Sequence, residues 1–136
     1  MRESFLATFT PSSLPPIDAV DVVELTTVDA KRVDAYMNAA TGAPSVRVSG
    51  VEAERIAAIW RQLPAGEQSR CHGPPFGLRF YSDGRLILQV SICWKCNNIF
   101  GDAGENRVSF EFDGSHEKSR ELLAACERAV GHPTVE

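Results

Sequence analysis

The sequence has no long run of apolar residues, although 43% of its 136 residues are hydrophobic. A membrane-spanning helix needs about 20 consecutive apolar residues, and no apolar stretch of this chain approaches that length. Residues 1–11 hold one arginine, an early glutamate and a short apolar stretch, which is too little for a secretory signal. We therefore expect a soluble protein of the cytoplasm with no membrane partner.

Clustered basic charge is also missing. The chain has 14 Lys and Arg residues against 18 Asp and Glu residues, which gives a net charge of −4, and the basic residues are scattered along it. A protein that binds nucleic acid displaces counterions from phosphates with grouped Lys and Arg side chains. The charge pattern therefore predicts no nucleic-acid partner.

The sequence lacks the motifs of several large enzyme classes. It has no glycine-rich phosphate loop, no Gly-x-Ser-x-Gly nucleophile turn and no His-Glu-x-x-His helix. This favours a binding module over an enzyme. A second hypothesis is an interaction or immunity-type protein, because a small acidic chain can be steered toward a basic partner protein.

The length and the apolar content suit one α+β domain over residues 18–136, preceded by an irregular, proline-containing N-terminal arm over residues 1–17. Alternating or β-branched patterns predict strands, and apolar stripes at helical spacing predict helices. The strands are expected at 20–26, 45–49, 76–81, 85–92 and 107–112, and the helices at 29–40, 51–63 and 116–130. The segment 97–104, rich in Asn and Gly, is expected to be a loop. We predict an antiparallel sheet covered by two or three helices.

The clearest local signal is a β-hairpin over 76–92. Asp83-Gly84 tolerates the positive φ angles of a two-residue hairpin turn, and apolar residues alternate on both sides of it. A two-residue loop fixes the register of the two strands. It predicts the opposing pairs Tyr81–Leu86, Leu78–Gln89 and Pro74–Cys93. Continued formally, this register brings Cys71 opposite Cys96.

The hairpin thus carries Cys71 back beside the Cys-x-x-Cys pair formed by Cys93 and Cys96. Three sulfur ligands in a small volume suit Zn²⁺, which binds thiolates in a tetrahedral shell and requires a fourth donor. His72 is the nearest candidate for that donor, and His116 or a water are the others. In a reducing cytoplasm, cysteines more often serve as thiols or metal ligands than as a disulfide framework. The first hypothesis is therefore a structural zinc site.

Two other hypotheses for the role of the cysteines stay open. Dithiol redox chemistry at Cys93 and Cys96 would need a helix N-terminus to stabilise the thiolate, and the residues after Cys96 do not resemble a helix. The cysteines could also be small buried apolar residues. That is the interpretation we favour for Cys126, which lies on the apolar stripe of the last predicted helix. For Trp94, between the two cysteines, we expect a ring packed against the turn.

The stretch Cys71-His72-Gly73-Pro74-Pro75-Phe76-Gly77, followed by a hairpin and by Cys93-Trp94-Lys95-Cys96, resembles a scattered group of small uncharacterised bacterial proteins. In that group a Cys-x-x-Pro-x-x-Gly loop precedes a hairpin that ends in Cys-x-x-Cys. The likeness extends loosely from about Asp18 to Phe112. Many members carry histidine at the position of Phe76 and an aromatic residue at that of His72. The resemblance implies a cysteine site, a strand-helix-hairpin order and added weight for a three-cysteine centre.

Overall fold

The computed structural model describes residues 7–32 and 35–131 of the chain. Within them the strands are β1 (Ala7–Thr8), β2 (Ala19–Glu24), β3 (Ser45–Ser49), β4 (Phe76–Ser82), β5 (Arg85–Cys93), β6 (Asn98–Ala103) and β7 (Asn106–Glu111). The α-helices are α1 (Tyr36–Ala39), α2 (Val51–Trp60) and α3 (Glu117–Ala129), and Pro11–Ser13 form a 3-10 turn.

The strands form one sheet in the order β1-β7-β6-β5-β4-β2-β3. All neighbouring strands are antiparallel except β1, which pairs with β7 in parallel. The strands β4 to β7 are a simple meander, in which each strand pairs with the next one in the chain. The predicted α+β class, with an antiparallel sheet and helices packed on it, is confirmed.

The main core lies between the sheet and the helices α2 and α3. Its largest fully buried side chains come from the sheet and from both helices. They include Trp60 of α2, Phe80 of β4 and Leu122 of α3. Cys126 of α3 belongs to this core and is 0% exposed, so its predicted role as a buried apolar residue is confirmed. Burial raises the pKa of the Cys126 thiol, because a thiolate there would be cut off from water.

A smaller cluster covers part of the opposite face of the sheet. Val23 and Leu25, at the end of β2, pack there with Met37 and Ala40 at α1. The predicted helix over 29–40 is shorter in the structure, because α1 begins at Tyr36. Val33, the first apolar position of the predicted stripe, lies outside the described residues. This single helical turn presents Tyr36 to the loop that carries Cys71.

The hairpin turn is where the sequence places it, but the predicted register holds for only two residue pairs. Ser82 pairs with Arg85 and Tyr81 with Leu86, after which a β-bulge shifts the pairing by one residue. The predicted pair Leu78–Gln89 is wrong, because Leu78 faces Val90. Without the bulge, Gln89 and Ser91 would point into the core; with it, the apolar residues of β5 do so. Burial of the apolar face therefore decides the register.

The loop predicted over 97–104 is a strand in the structure. This strand, β6, pairs with both β5 and β7 in the middle of the sheet. Its buried residues include Ile99, at 0% exposure, and the polar Asn98, at 2%. Asn and Gly are typical of turns, and here the tertiary contacts outweigh that local preference.

Part of the segment predicted as an irregular arm contributes to the domain. The backbone of β1 extends the sheet beside Val108 and Ser109, and Leu14 and Ile17 are buried in the main core. The longest described helix, α3, has 13 residues. Within residues 7–32 and 35–131, no helix combines the length and the apolar character that crossing a membrane requires.

Candidate functional site

The Cys-x-x-Cys motif is the turn between β5 and β6. Cys93 ends β5 and its Cα faces that of Asn98, the first residue of β6. The residues between them form a tight turn in which Asn97 adopts a φ of 58°. Asparagine is one of the few residue types that enter this left-handed region readily. The turn therefore holds Cys93 and Cys96 side by side.

Two backbone N–H groups point at the sulfur of Cys93. The N–H of Cys96 lies 3.3 Å from Cys93 Sγ, and the N–H of Gly73 lies 3.4 Å from it. The two donors come from different segments, one from the turn and one from the loop before β4. The buried sulfur of Cys93 thus has two hydrogen-bond donors.

Cys71 and Cys96 are joined as a disulfide that spans 25 sequence positions. Cys96 is 3% exposed, whereas Cys71 is an exposed residue. Cys93 and Cys126 are free thiols. The predicted meeting of Cys71 with Cys96 is confirmed. The bonded pair differs from the one in the redox hypothesis, which joined Cys93 to Cys96.

The loop that carries Cys71 is held by backbone hydrogen bonds on both sides of it. The N–H of Ser69 donates to the carbonyl oxygen of Cys96 at 2.9 Å, and the N–H of Gly66 donates to that of Glu111 at 3.0 Å. At the other end of the loop, the N–H of Leu25 donates to the carbonyl oxygen of Pro75 at 2.9 Å. These contacts position the loop without using a sulfur atom.

Asn98 is the central polar residue of the site. Its side-chain amide donates to the carbonyl oxygen of Cys71 at 2.7 Å, with longer contacts to Gln68 Oε1 at 3.2 Å and to the carbonyl oxygen of Ser69 at 3.4 Å. Its Oδ1 lies 2.7 Å from Nδ1 of His72. A buried polar side chain needs such partners, and here they tie the Cys71 loop to β6. No pattern in the sequence indicated this role of Asn98.

His72 is engaged at both ring nitrogens. Because the amide of Asn98 donates to carbonyl groups, its Oδ1 accepts, which assigns the proton of the neutral ring to Nδ1. Nε2 lies 2.8 Å from Ser91 Oγ. The ring also makes edge-to-face contacts with Tyr36 and Phe100, at centroid distances of 5.3 and 4.9 Å. His72 would have to leave one of these partners to reach a metal.

The other histidines have different surroundings. His116 is the N-cap residue of α3, where its Nδ1 accepts the N–H of Lys118 at 3.1 Å. His132 lies outside the described residues. The described parts of the chain hold no group of three or more His, Cys, Asp or Glu side chains arranged around a metal position. A disulfide consumes two of the three converging sulfurs, so a metal would require the reduced centre.

The Cys-x-x-Cys turn is also tied to α3. Nε1 of Trp94 donates to the carbonyl oxygen of Ser119 at 2.7 Å, and the indole ring packs edge-on against Phe112. The N–H of Gly114 donates to Asn97 Oδ1 at 2.9 Å. A Cβ atom at position 114 would overlap the carbonyl oxygen of Trp94, so this approach of the two segments requires glycine. The ring of Trp94 is packed, as expected, but against Phe112 and α3 rather than against the turn.

The environment of His72 makes stability depend on pH. Burial lowers its pKa below the ordinary value of 6.5, and the hydrogen bond to Asn98 opposes that shift in part. The unfolded chain therefore takes up the proton at a higher pH than the folded chain. The stability associated with neutral His72 is present above pH 6.5 and is lost as the pH falls through the folded-state pKa. In the variant His72→Gln, this loss is expected to disappear.

The measurement is urea denaturation of the wild type and of His72→Gln at a series of pH values from about 7.5 down to about 5. His116→Asn is the matched control, because asparagine keeps the helix cap and removes an exposed imidazole. We expect the control to retain the slope of the wild type. Equal slopes in the wild type and His72→Gln would contradict the assignment of the pH dependence to His72.

Comparison of the chain with known protein families, with curated proteins and with solved structures finds no match in any of the three. Its function must therefore be argued from the chemistry of the cysteine centre.

Proposed function

We propose that this chain is a binding module whose three-cysteine centre, Cys71, Cys93 and Cys96, holds a structural zinc ion when the thiols are reduced. Thiolates are the softest protein ligands and zinc favours them. The proposed compartment is the cytoplasm, where a reducing environment keeps cysteines as thiols. In this proposal the chain has no catalytic role and does not bind nucleic acid.

One observation carries the proposal. Several hydrogen bonds that involve no sulfur atom hold the Cys71 loop, above all the one from the Asn98 amide to the carbonyl oxygen of Cys71. Reduction of the disulfide would therefore leave Cys71 beside the Cys-x-x-Cys turn. A site whose ligands are positioned before the metal arrives loses less conformational entropy on binding.

The proposed ligand set contains the three cysteines and leaves the fourth position to a water. The N–H groups of Cys96 and Gly73 would support Cys93 as a thiolate ligand. In this set His72 has an outer role, because its Nδ1 contact with Asn98 helps to orient the loop that presents Cys71. When bound, zinc would supply folding free energy, since the site exists only in the folded chain.

The test is the zinc content of protein that is purified under reducing conditions without chelator. We expect about one zinc ion per wild-type chain, and loss of the metal in Cys93→Ser, because one thiolate ligand is removed. Cys126→Ala is the control, since Cys126 is buried in the main core. We expect this substitution to leave the zinc content unchanged. Folded, reduced wild-type protein without zinc would refute the proposal.

A second candidate is a thiol-disulfide protein, and it is favoured by the Cys71–Cys96 pair itself. Its exposed member, Cys71, suits reaction with an external thiol, while Cys96 is buried. Closing a loop of 25 positions also stabilises the folded chain by about 3 kcal/mol, since it restricts the unfolded state. Cycling of this pair in buffers of dithiothreitol would support the candidate. The hypothesis of a basic protein partner stays a prediction.

A further inference from the structure

We infer that Cys93 is the third member of a disulfide exchange, in which its sulfur attacks Sγ of Cys96 and displaces Cys71. The inference concerns the same cysteine centre as the proposed function, in its oxidised rather than its reduced form. It gives a role in the oxidised protein to the buried thiol of Cys93, which the Cys71–Cys96 disulfide leaves free.

The position of the Cys93 sulfur carries the inference. Its two hydrogen-bond donors belong to the two sides of the disulfide, since one is the N–H of Cys96 itself and the other is that of Gly73, two positions after Cys71. The free sulfur therefore contacts both of the segments that the disulfide joins. Cys93 ends β5 and Cys96 lies in the turn that follows it, so the N–H of Cys96 comes within 3.3 Å of Cys93 Sγ.

Solvent exposure sets the direction of the exchange. Attack on Cys96 releases the sulfur of Cys71, an exposed residue, so the departing thiolate is hydrated. Attack on Cys71 would instead release Cys96, which is 3% exposed, as a thiolate without hydration. A poorly solvated thiolate is the worse leaving group, so the favoured product is the Cys93–Cys96 disulfide.

The exchange is balanced within the chain. The sulfur of Cys93, which is 2% exposed, forms a bond to Sγ of Cys96 while the bond from Cys96 to Cys71 breaks. The electron pair of that bond leaves with Cys71, and the proton of the Cys93 thiol ends on the Cys71 sulfur. One disulfide replaces another, so no external oxidant or reductant is needed.

The consequence is an oxidised centre that still presents a reactive thiol. With the disulfide moved to Cys93–Cys96, Cys71 is free at the surface, and the bonds from Asn98 continue to hold its loop. An external disulfide can then react with Cys71 to give a mixed disulfide and a released thiol. The ligand class is therefore a thiol or a disulfide of another molecule. The sulfur of Cys71 is the atom that reacts with it.

The experiment uses the full oxidised chain with no reductant. The folded protein is incubated with a small maleimide, quenched in acid, digested and mapped by mass spectrometry. We expect Cys71 to become alkylated while a peptide pair joined through Cys93 and Cys96 accumulates, because the maleimide traps the displaced thiol. In Cys93→Ser the alkylation of Cys71 should be lost.

Cys126→Ala is the matched control, because it removes the other free thiol. In this variant Cys71 should be alkylated at the rate of the wild type. Cys93→Ala is a second variant in case the serine variant is not folded, and circular dichroism checks both. Wild-type protein that keeps the Cys71–Cys96 bond and an unlabelled Cys71 would overturn the inference. The zinc content of the reduced protein is a separate measurement. A failure of the zinc proposal is therefore distinguishable from a failure of the disulfide exchange.

Discussion

Replacing Asn98 with leucine is expected to lower the free energy of unfolding by about 3 kcal/mol, which corresponds to a fall of the melting temperature by roughly 10 °C. The substitution removes the amide that donates to the carbonyl oxygen of Cys71 and the oxygen that accepts from His72. Asn98 is 2% exposed, so water cannot replace these partners. Groups left unsatisfied in a buried place account for the size of the effect.

The variant Asn98→Asp separates hydrogen bonding from shape. Aspartate has the same size and can still accept from His72 Nδ1, but it cannot donate to the carbonyl oxygen of Cys71. We therefore expect it to be destabilised as well, and to leave the thiol of Cys71 more reactive in the reduced protein. Asn106→Leu is the control, because Asn106 is exposed near the turn between β6 and β7.

Thermal melts of the reduced and the oxidised protein are the measurement for these variants. If Asn98→Leu melted within about 1 °C of the wild type in both states, the role of Asn98 in holding the Cys71 loop would be refuted. A large loss in the reduced protein alone would mean that the disulfide can hold the loop without Asn98.

Replacing Gly101 with alanine is expected to destabilise the protein by about 3 kcal/mol or more. Gly101 lies in β6, where its Cα faces that of Val90 of β5. A Cβ atom built there overlaps the carbonyl oxygen of Gln89, which is backbone and cannot rotate away. The two central strands would have to separate, and the disturbance would reach the Cys-x-x-Cys turn that joins them.

Gly73→Ala is the matched control for this prediction, because a Cβ atom at position 73 meets nothing within 4 Å. Its N–H, which points at Cys93 Sγ, is retained in alanine. Urea denaturation of the two variants and the wild type measures the difference. Equal midpoints for Gly101→Ala and Gly73→Ala would contradict the close approach of β5 and β6.

The sequence was sufficient to predict the scaffold of the site. The Asp83-Gly84 turn and the alternating residues on both sides of it specify the β4–β5 hairpin through local chemistry alone. The approach of Cys71 to Cys96 follows from the position of the cysteines on either side of that hairpin. This prediction holds despite the one-residue error in register. Cys71 lies before the start of β4, where the register of the two strands no longer fixes its position.

The strand β6 and the bulge could not be predicted in the same way. The turn-forming residues of 97–104 indicate a loop when they are read locally, and only the neighbouring strands on both sides supply the hydrogen bonds that make them a strand. The bulge likewise depends on which residues of β5 face α2 and α3. Both features are decided by contacts between distant segments.

The contribution of Asn98 could not be predicted for a related reason. Its partners are backbone carbonyl groups of residues about thirty positions earlier in the chain, and no sequence pattern marks a carbonyl group as a partner. The only signal is a polar residue directly after the Cys-x-x-Cys turn, where an apolar residue would begin a buried strand. The pairing of the cysteines is equally open in sequence, since four cysteines allow three connectivities.

The meander of β4 to β7 has a consequence for synthesis on the ribosome. The pairs β4–β5, β5–β6 and β6–β7 each join strands that follow one another in the chain, and such short-range contacts form fastest because little chain entropy is lost in closing them. The strands β2 and β3 pair with each other, but β2 must wait for β4 to cover its second edge. The amino-terminal half of the nascent chain thus emerges with one edge of an apolar strand unpaired, and β4, which follows Cys71 in the chain, completes it.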